Sequence, residues 1–125
     1  MDDPAFQVLR VIEETGGSAP AEAISASLGI PRTRVTEHIE RLRHLGYTIA
    51  ETRKDHYQLK GRSARLLPHE IQKHLATKVI GRRMKYLETT ESTTWIARDL
   101  LCQQDPARLH GMVIIAEEQT GGQGR

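Results

Sequence analysis

A short glycine turn between two helical stretches constrains this chain more than any other feature. In Leu28-Gly29-Ile30-Pro31, Gly29 can take the left-handed conformation that ends a helix, and Pro31 fixes φ for the start of the next. From Arg32 to about Leu45, Val35, Ile39 and Leu42 recur at i, i+4 and i+7, so one stripe of that helix must be buried. Upstream, Phe6, Leu9 and Ile12 repeat at helical spacing through Ala5 to Glu14, and Thr15-Gly16-Gly17 breaks the pattern where a C-cap glycine belongs. Between these two lies a helix of barely two turns, read with Ser18 as its cap, Pro20 in its first turn and Gly29 at its end. Three helices so connected predict a helical domain whose last helix turns a polar face to water.

That face carries Thr33, Arg34, Thr36, Glu37, Glu40, Arg41 and His44. Two helices across a short glycine turn, the second opening with Arg32, Thr33 and Arg34, form a helix-turn-helix, in which the second helix lays its N-terminal residues against base edges in the major groove. Arg32 and Arg34 suit phosphate or guanine, and Thr33 and Thr36 suit phosphate or a thymine methyl. A solvated face on an ordinary three-helix bundle has the same pattern. The segment after Gly46 favours the first reading. Tyr47-Thr48-Ile49-Ala50 alternates like a half-buried strand, Thr52-Arg53-Lys54-Asp55 is a polar turn, and Tyr57-Gln58-Leu59 alternates again. A hairpin with Arg53 and Lys54 at its tip is a wing that can follow the phosphate backbone. Double-stranded DNA is therefore the expected partner, ahead of a purely structural or protein-contact role.

Charge adds a weaker argument. The net charge of +2 conceals a basic middle: residues 61–85 hold seven bases against one acid, and residues 86–125 hold six acids against three bases. Such asymmetry fits polyanion binding, and a solvated basic linker would look the same. Runs such as Val113-Ile114-Ile115-Ala116 are too short to span a bilayer, so no membrane partner is expected, and the acidic start at Asp2 and Asp3 does not read as an export leader. A cytoplasmic location is the expectation. Cys102, the single cysteine, is expected to pack as a small apolar residue on a helix. His69, His74 and His110 lack metal-ligand spacing, and no metal site is expected.

The run Leu28-Gly29-Ile30-Pro31-Arg32-Thr33-Arg34-Val35-Thr36-Glu37-His38-Ile39, followed by Leu42-Arg43 and Gly46-Tyr47-Thr48-Ile49, resembles the winged-helix domain of the BirA family of bifunctional biotin operon repressors and biotin–protein ligases. The later segments agree in order: Leu66-Leu67-Pro68 with a helix-like Ile71 to Leu75, then Tyr86-Leu87-Glu88, Ser92-Thr93-Thr94 before Trp95 to Leu101, Met112 to Ala116, and the glycine-rich Thr120 to Arg125. The resemblance implies an α+β chain, with a winged helix-turn-helix of three helices and a β-hairpin wing followed by the first strand-helix-strand part of a biotin–protein ligase catalytic domain. It divides the sequence into residues 1–60 for DNA binding, 61–83 as basic linker and short helix, and 84–125 as the beginning of the ligase domain. Residues 1–60 are expected to fold autonomously, with 84–125 loosely ordered.

The outward face of the third helix and the wing tip give the expected DNA-binding set: Arg32, Thr33, Arg34, Thr36, Glu37, Arg41, Arg53 and Lys54. By the resemblance, Ser92, Thr93, Thr94, Gln119, Gly122, Gly124 and Arg125 match positions that hold biotin and its adenylate, so biotin and ATP are the implied ligands. A helix N-cap is the plain structural role for Ser92. Thr94 stands where the family has asparagine, Gln123 where it has arginine, and Glu37 where it more often has lysine. His56 stands where a glycine often precedes the wing tyrosine, which predicts a wider hairpin turn. No catalytic residue is assigned, because the lysine that the family uses for activation lies beyond Arg125. Two functions follow: a DNA-binding regulator of biotin-synthesis or transport genes with an incomplete ligase half, or part of a full ligase that adenylates biotin and passes it to a carrier-domain lysine. The carrier domain is a partner only in the second, and a monomer or weak homodimer is expected.

Overall fold

The computed structural model describes residues 3–124 and divides into two compact units, which meet in sequence between Arg65 and Leu66. In the first, α1 (Ala5–Glu14), α2 (Ala21–Leu28) and α3 (Arg32–His44) pack with β1 (Ser18–Pro20), β2 (Thr48–Arg53) and β3 (His56–Gly61). The stripe of α3 is inside as its spacing requires: Val35, Ile39 and Leu42 are fully buried, with Leu9 and Ile12 of α1 and Ile24 of α2. Gly29 closes α2 at φ 65°, the left-handed conformation expected of it.

Ser18 is not a helix cap. Ser18, Ala19 and Pro20 form the strand β1, which pairs antiparallel with β3 (Ser18 opposite Gln58, Pro20 opposite His56) and gives a three-stranded sheet in the order β1-β3-β2. The Ser18 hydroxyl hydrogen-bonds the His56 ring at 2.9 Å, and Pro20, in extended conformation, is itself the N-cap of α2 rather than part of its first turn. The hairpin turn is also tighter than expected. Thr52 and Arg53 remain in β2, Arg53 pairs with His56, and only Lys54 and Asp55 make the turn. Asp55 supplies the left-handed conformation at φ 58°, which a short polar side chain tolerates, so His56 can enter the strand.

Gly46 joins α3 to β2 at φ 101°, and a Cβ built there would stand 2.7 Å from Ser63 Oγ, a hydroxyl that donates to the Leu45 carbonyl. Gly46→Ala therefore meets both backbone strain and a clash. Its expected cost is about 1–3 kcal/mol, read as a lower urea midpoint at unchanged m-value.

The second unit contains α4 (Pro68–Gln72), β4 (Met84–Thr90), α5 (Thr93–Gln103), α6 (Pro106–Leu109) and β5 (Val113–Gln119). The helix expected over Ile71 to Leu75 starts and ends earlier, with single turns continuing to Leu75. β4 and β5 run parallel, Met84 opposite Val113 and Thr90 opposite Gln119, with α5 and α6 between them in sequence. This is the strand-helix-strand arrangement implied by the order of segments. Among the described residues its buried apolar side chains are Leu67 and Leu100, while Val79, Ile80, Trp95 and Leu101 are exposed. Cys102 lies on α5 as expected but faces solvent, so it is not a packing residue. No helix of the described residues is long and apolar enough to cross a membrane.

Candidate nucleic-acid interface

The first two turns of α3 project a continuous polar surface because the buried stripe occupies the other side of the helix. Arg32, Thr33, Arg34, Thr36 and Glu37 are all exposed there, around the single buried residue Val35. Thr36 Oγ1 donates to the Arg32 carbonyl at 3.3 Å, and Arg34 Nη1 donates to Glu37 Oε2 at 3.1 Å one turn along. The face thus combines cationic, hydroxyl and carboxylate groups on one rigid element.

The wing turn is fixed close to the start of this helix. The Ala21 amide donates to the Asp55 carbonyl at 2.7 Å, and the Arg32 guanidinium lies 3.3 Å from Glu22 and 3.9 Å from Asp55. The Asp55 amide in turn donates to Glu51 at 2.9 Å. These contacts bring Arg32 and the exposed turn residue Lys54 into one region, with exposed Arg53 at the adjoining end of β2. Sequence reading had no signal for Glu22 and Asp55 as partners of Arg32, since neither lies on its helix.

Arg41 is placed differently. It stands seven residues beyond Arg34, roughly 10 Å along the helix axis, and its Nε donates to Asp3 Oδ2 at 3.0 Å. Asp3 also accepts from the Ala5 amide at 3.0 Å, so the pair ties α3 to the beginning of α1. Arg43, inward of this face, donates to the Ile49 carbonyl at 2.8 Å and pairs with Glu40, bracing the step from α3 to β2. Exposed ion pairs of this kind contribute about 0–1 kcal/mol each. Arg32, Arg34 and Arg41 can therefore exchange their carboxylate partners for phosphate at little cost.

In the second unit the ends of the parallel strands gather another polar group. Ser92 caps α5 by accepting from the Thr94 amide at 3.2 Å, the plain role expected for it. The Thr93 amide and hydroxyl both donate to Gln119 Oε1, at 2.8 and 3.1 Å, and a Cβ on Gly122 would come within 3.2 Å of Gln119 Nε2. Thr93, Gln119 and Gly122 thus meet where β4 and β5 reach their carboxyl ends, the edge at which parallel sheets place ligands. Thr94 and Gly124 are exposed nearby in sequence, and Arg125 lies outside the described residues.

Comparison with known proteins agrees with both units. Residues 3–48 match the IclR helix-turn-helix domain family. Over 104 residues the chain is 36% identical to the bifunctional ligase/repressor BirA of Bacillus spizizenii, an overlap of 83% of this chain and 31% of that protein. The same figures hold for the bifunctional ligase/repressor BirA of Bacillus subtilis. The chain spans about a third of the length of the curated relatives it matches.

Proposed function

Given that the chain is BirA-like in sequence across 104 residues and carries a helix-turn-helix domain, we propose that it is a transcriptional regulator that binds duplex DNA sequence-specifically at biotin-synthesis or transport genes. The observation that carries this reading is the exposed N-terminal half of α3, with Arg32, Thr33, Arg34, Thr36 and Glu37 set beside a wing that carries Arg53 at the end of β2 and Lys54 in its turn. In this reading the α3 side chains enter the major groove, Lys54 and Arg53 follow the backbone, and Arg41 leaves Asp3 for a phosphate further along. A gel shift of the whole chain with mixed genomic duplexes tests it. Binding at low salt that weakens steeply as salt rises supports the reading, and no binding at low salt removes it.

The second unit is proposed to correspond to the beginning of a biotin–protein ligase catalytic domain, a domain whose ligands are biotin and ATP. Thr93, Gln119 and Gly122 fit a small polar ligand, since they already converge on one another, with Ser92 and Thr94 at the helix start. Gly124 and Arg125 would close over the adenylate, whose phosphate the arginine would neutralise. Thr94 in place of asparagine and Gln123 in place of arginine each remove a contact, so the adenylate is proposed to be held weakly; the chain alone, which has no counterpart of the family's activating lysine, is proposed to lack ligase activity.

The relatives' greater length favours a second reading, in which these residues belong to a full bifunctional ligase that adenylates biotin and transfers it to a carrier-domain lysine. The coding frame after Arg125 separates the two: an open frame through the remainder of the glycine-rich loop supports the ligase, and a stop supports the regulator. The domain limits 1–60, 61–83 and 84–125, a cytoplasmic location and a monomeric or weakly dimeric state complete the proposal.

A further inference from the structure

Glu37 is the one acid in the first two turns of α3, and it stands on the face that would meet DNA. A bare carboxylate there is repelled by phosphate and weakens every complex alike. Its setting is not bare. Arg34 donates to it at 3.1 Å from one turn earlier, and both side chains remain more than three-fifths exposed, at 63% and 62%. The pair therefore presents the remaining guanidinium donors beside a carboxylate acceptor, held on one side of the helix.

Only one base-pair edge complements that set. In the major groove a G·C pair offers the O6 and N7 acceptors of guanine next to the N4 amino donor of cytosine, whereas an A·T pair offers an acceptor, a donor, a second acceptor and a methyl group. Two arginine donors followed by a carboxylate acceptor match the first. The geometry points to Arg34 and Glu37 acting together as the reader of a G·C base pair, with Glu37 the specificity-determining residue that takes the cytosine amine. This inference rests on the DNA-binding reading above and adds to it the identity of one base pair.

The test selects duplexes from a randomised library with the intact chain, then repeats the selection with Glu37→Ala, Glu37→Gln and, as a charge-matched comparison, Glu40→Gln. Both positions are solvent-exposed, so circular dichroism is expected to be unchanged in all three variants. The unaltered chain is expected to enrich a site containing a G·C pair that it prefers over other pairs by roughly 5- to 150-fold. Glu37→Ala erases that preference while binding random duplex more tightly. Glu37→Gln moves the preference toward A·T, because glutamine pairs with adenine N6 and N7. Glu40→Gln removes the same charge from the same helix and leaves the preference as it was. If the unaltered chain binds DNA but Glu37→Ala and Glu37→Gln keep its base preference, or Glu40→Gln shifts it equally, the inference is wrong and the DNA-binding reading stands. If the unaltered chain binds no duplex at low salt, the reading beneath it fails as well.

Discussion

Leu42→Ala is expected to lower the stability of the first unit by about 2–5 kcal/mol, the range for emptying a leucine site in a packed core. Leu42 is fully buried in the last turns of α3, shortly before the chain turns into the wing, so its side chain anchors that end of the helix in the core. A domain of this size has a total stability of only roughly 3–10 kcal/mol. One truncation can therefore remove most of it, and DNA binding would fall with the folded population. His44, two residues along and exposed, is the comparison: His44→Ala should change stability by no more than about 0.5 kcal/mol. Urea unfolding followed by circular dichroism reads both. A loss below about 1 kcal/mol for Leu42→Ala would mean that α3 is not anchored as described.

The second large effect is the salt dependence of DNA binding. Four cations of the proposed interface can reach phosphate while Arg34 stays with Glu37 at a base edge: Arg32, Arg41, Arg53 and Lys54. If each neutralises one phosphate, log K falls with log salt at a slope of about −3.6 per chain, and affinity drops roughly 150-fold between 50 and 200 mM salt. The carboxylates now beside Arg32 and Arg41 scarcely reduce that figure, since such pairs are weak and exchange readily. Lys54→Ala, at the wing turn, should make the slope shallower by about one unit and weaken all sequences alike. Fluorescence anisotropy at several salt concentrations measures this. A slope near zero would place binding, if any, on an uncharged surface.

The core and its punctuation were legible in the sequence because they follow from local rules. The spacing of Val35, Ile39 and Leu42 committed one side of α3 to burial, and Gly29 had to sit where a left-handed residue ends a helix. The order of strand, helix and strand in the second unit was equally readable, with Ser92 placed at the start of α5. What escaped depends on partners distant in sequence. A three-residue strand at Ser18 to Pro20 has no period to detect, and its partner β3 begins at His56. A serine followed by a proline reads locally as a helix start, so local chemistry pointed to a cap where the sheet had claimed the residues.

The wing turn shows the same limit in smaller form. His56 in place of a glycine argued for a wider loop, but Asp55, one position earlier, absorbs the positive φ. Within the candidate interface, the Arg34–Glu37 pair was readable as neighbours one helical turn apart, whereas Arg32 with Glu22 and Asp55, and Arg41 with Asp3, were not. Exposure of Cys102 was hidden for a related reason: a lone cysteine gives no sign of which side of its helix it takes.

The most direct test of the central claim is a backbone amide NMR titration of the labelled chain with a selected duplex at low salt. The account predicts the largest shifts from Arg32 to Glu37 and at Arg53 and Lys54, with the buried amides of Val8 and Leu9 little moved. Shifts confined to other surfaces, or none with a duplex that other methods show to bind, would contradict it.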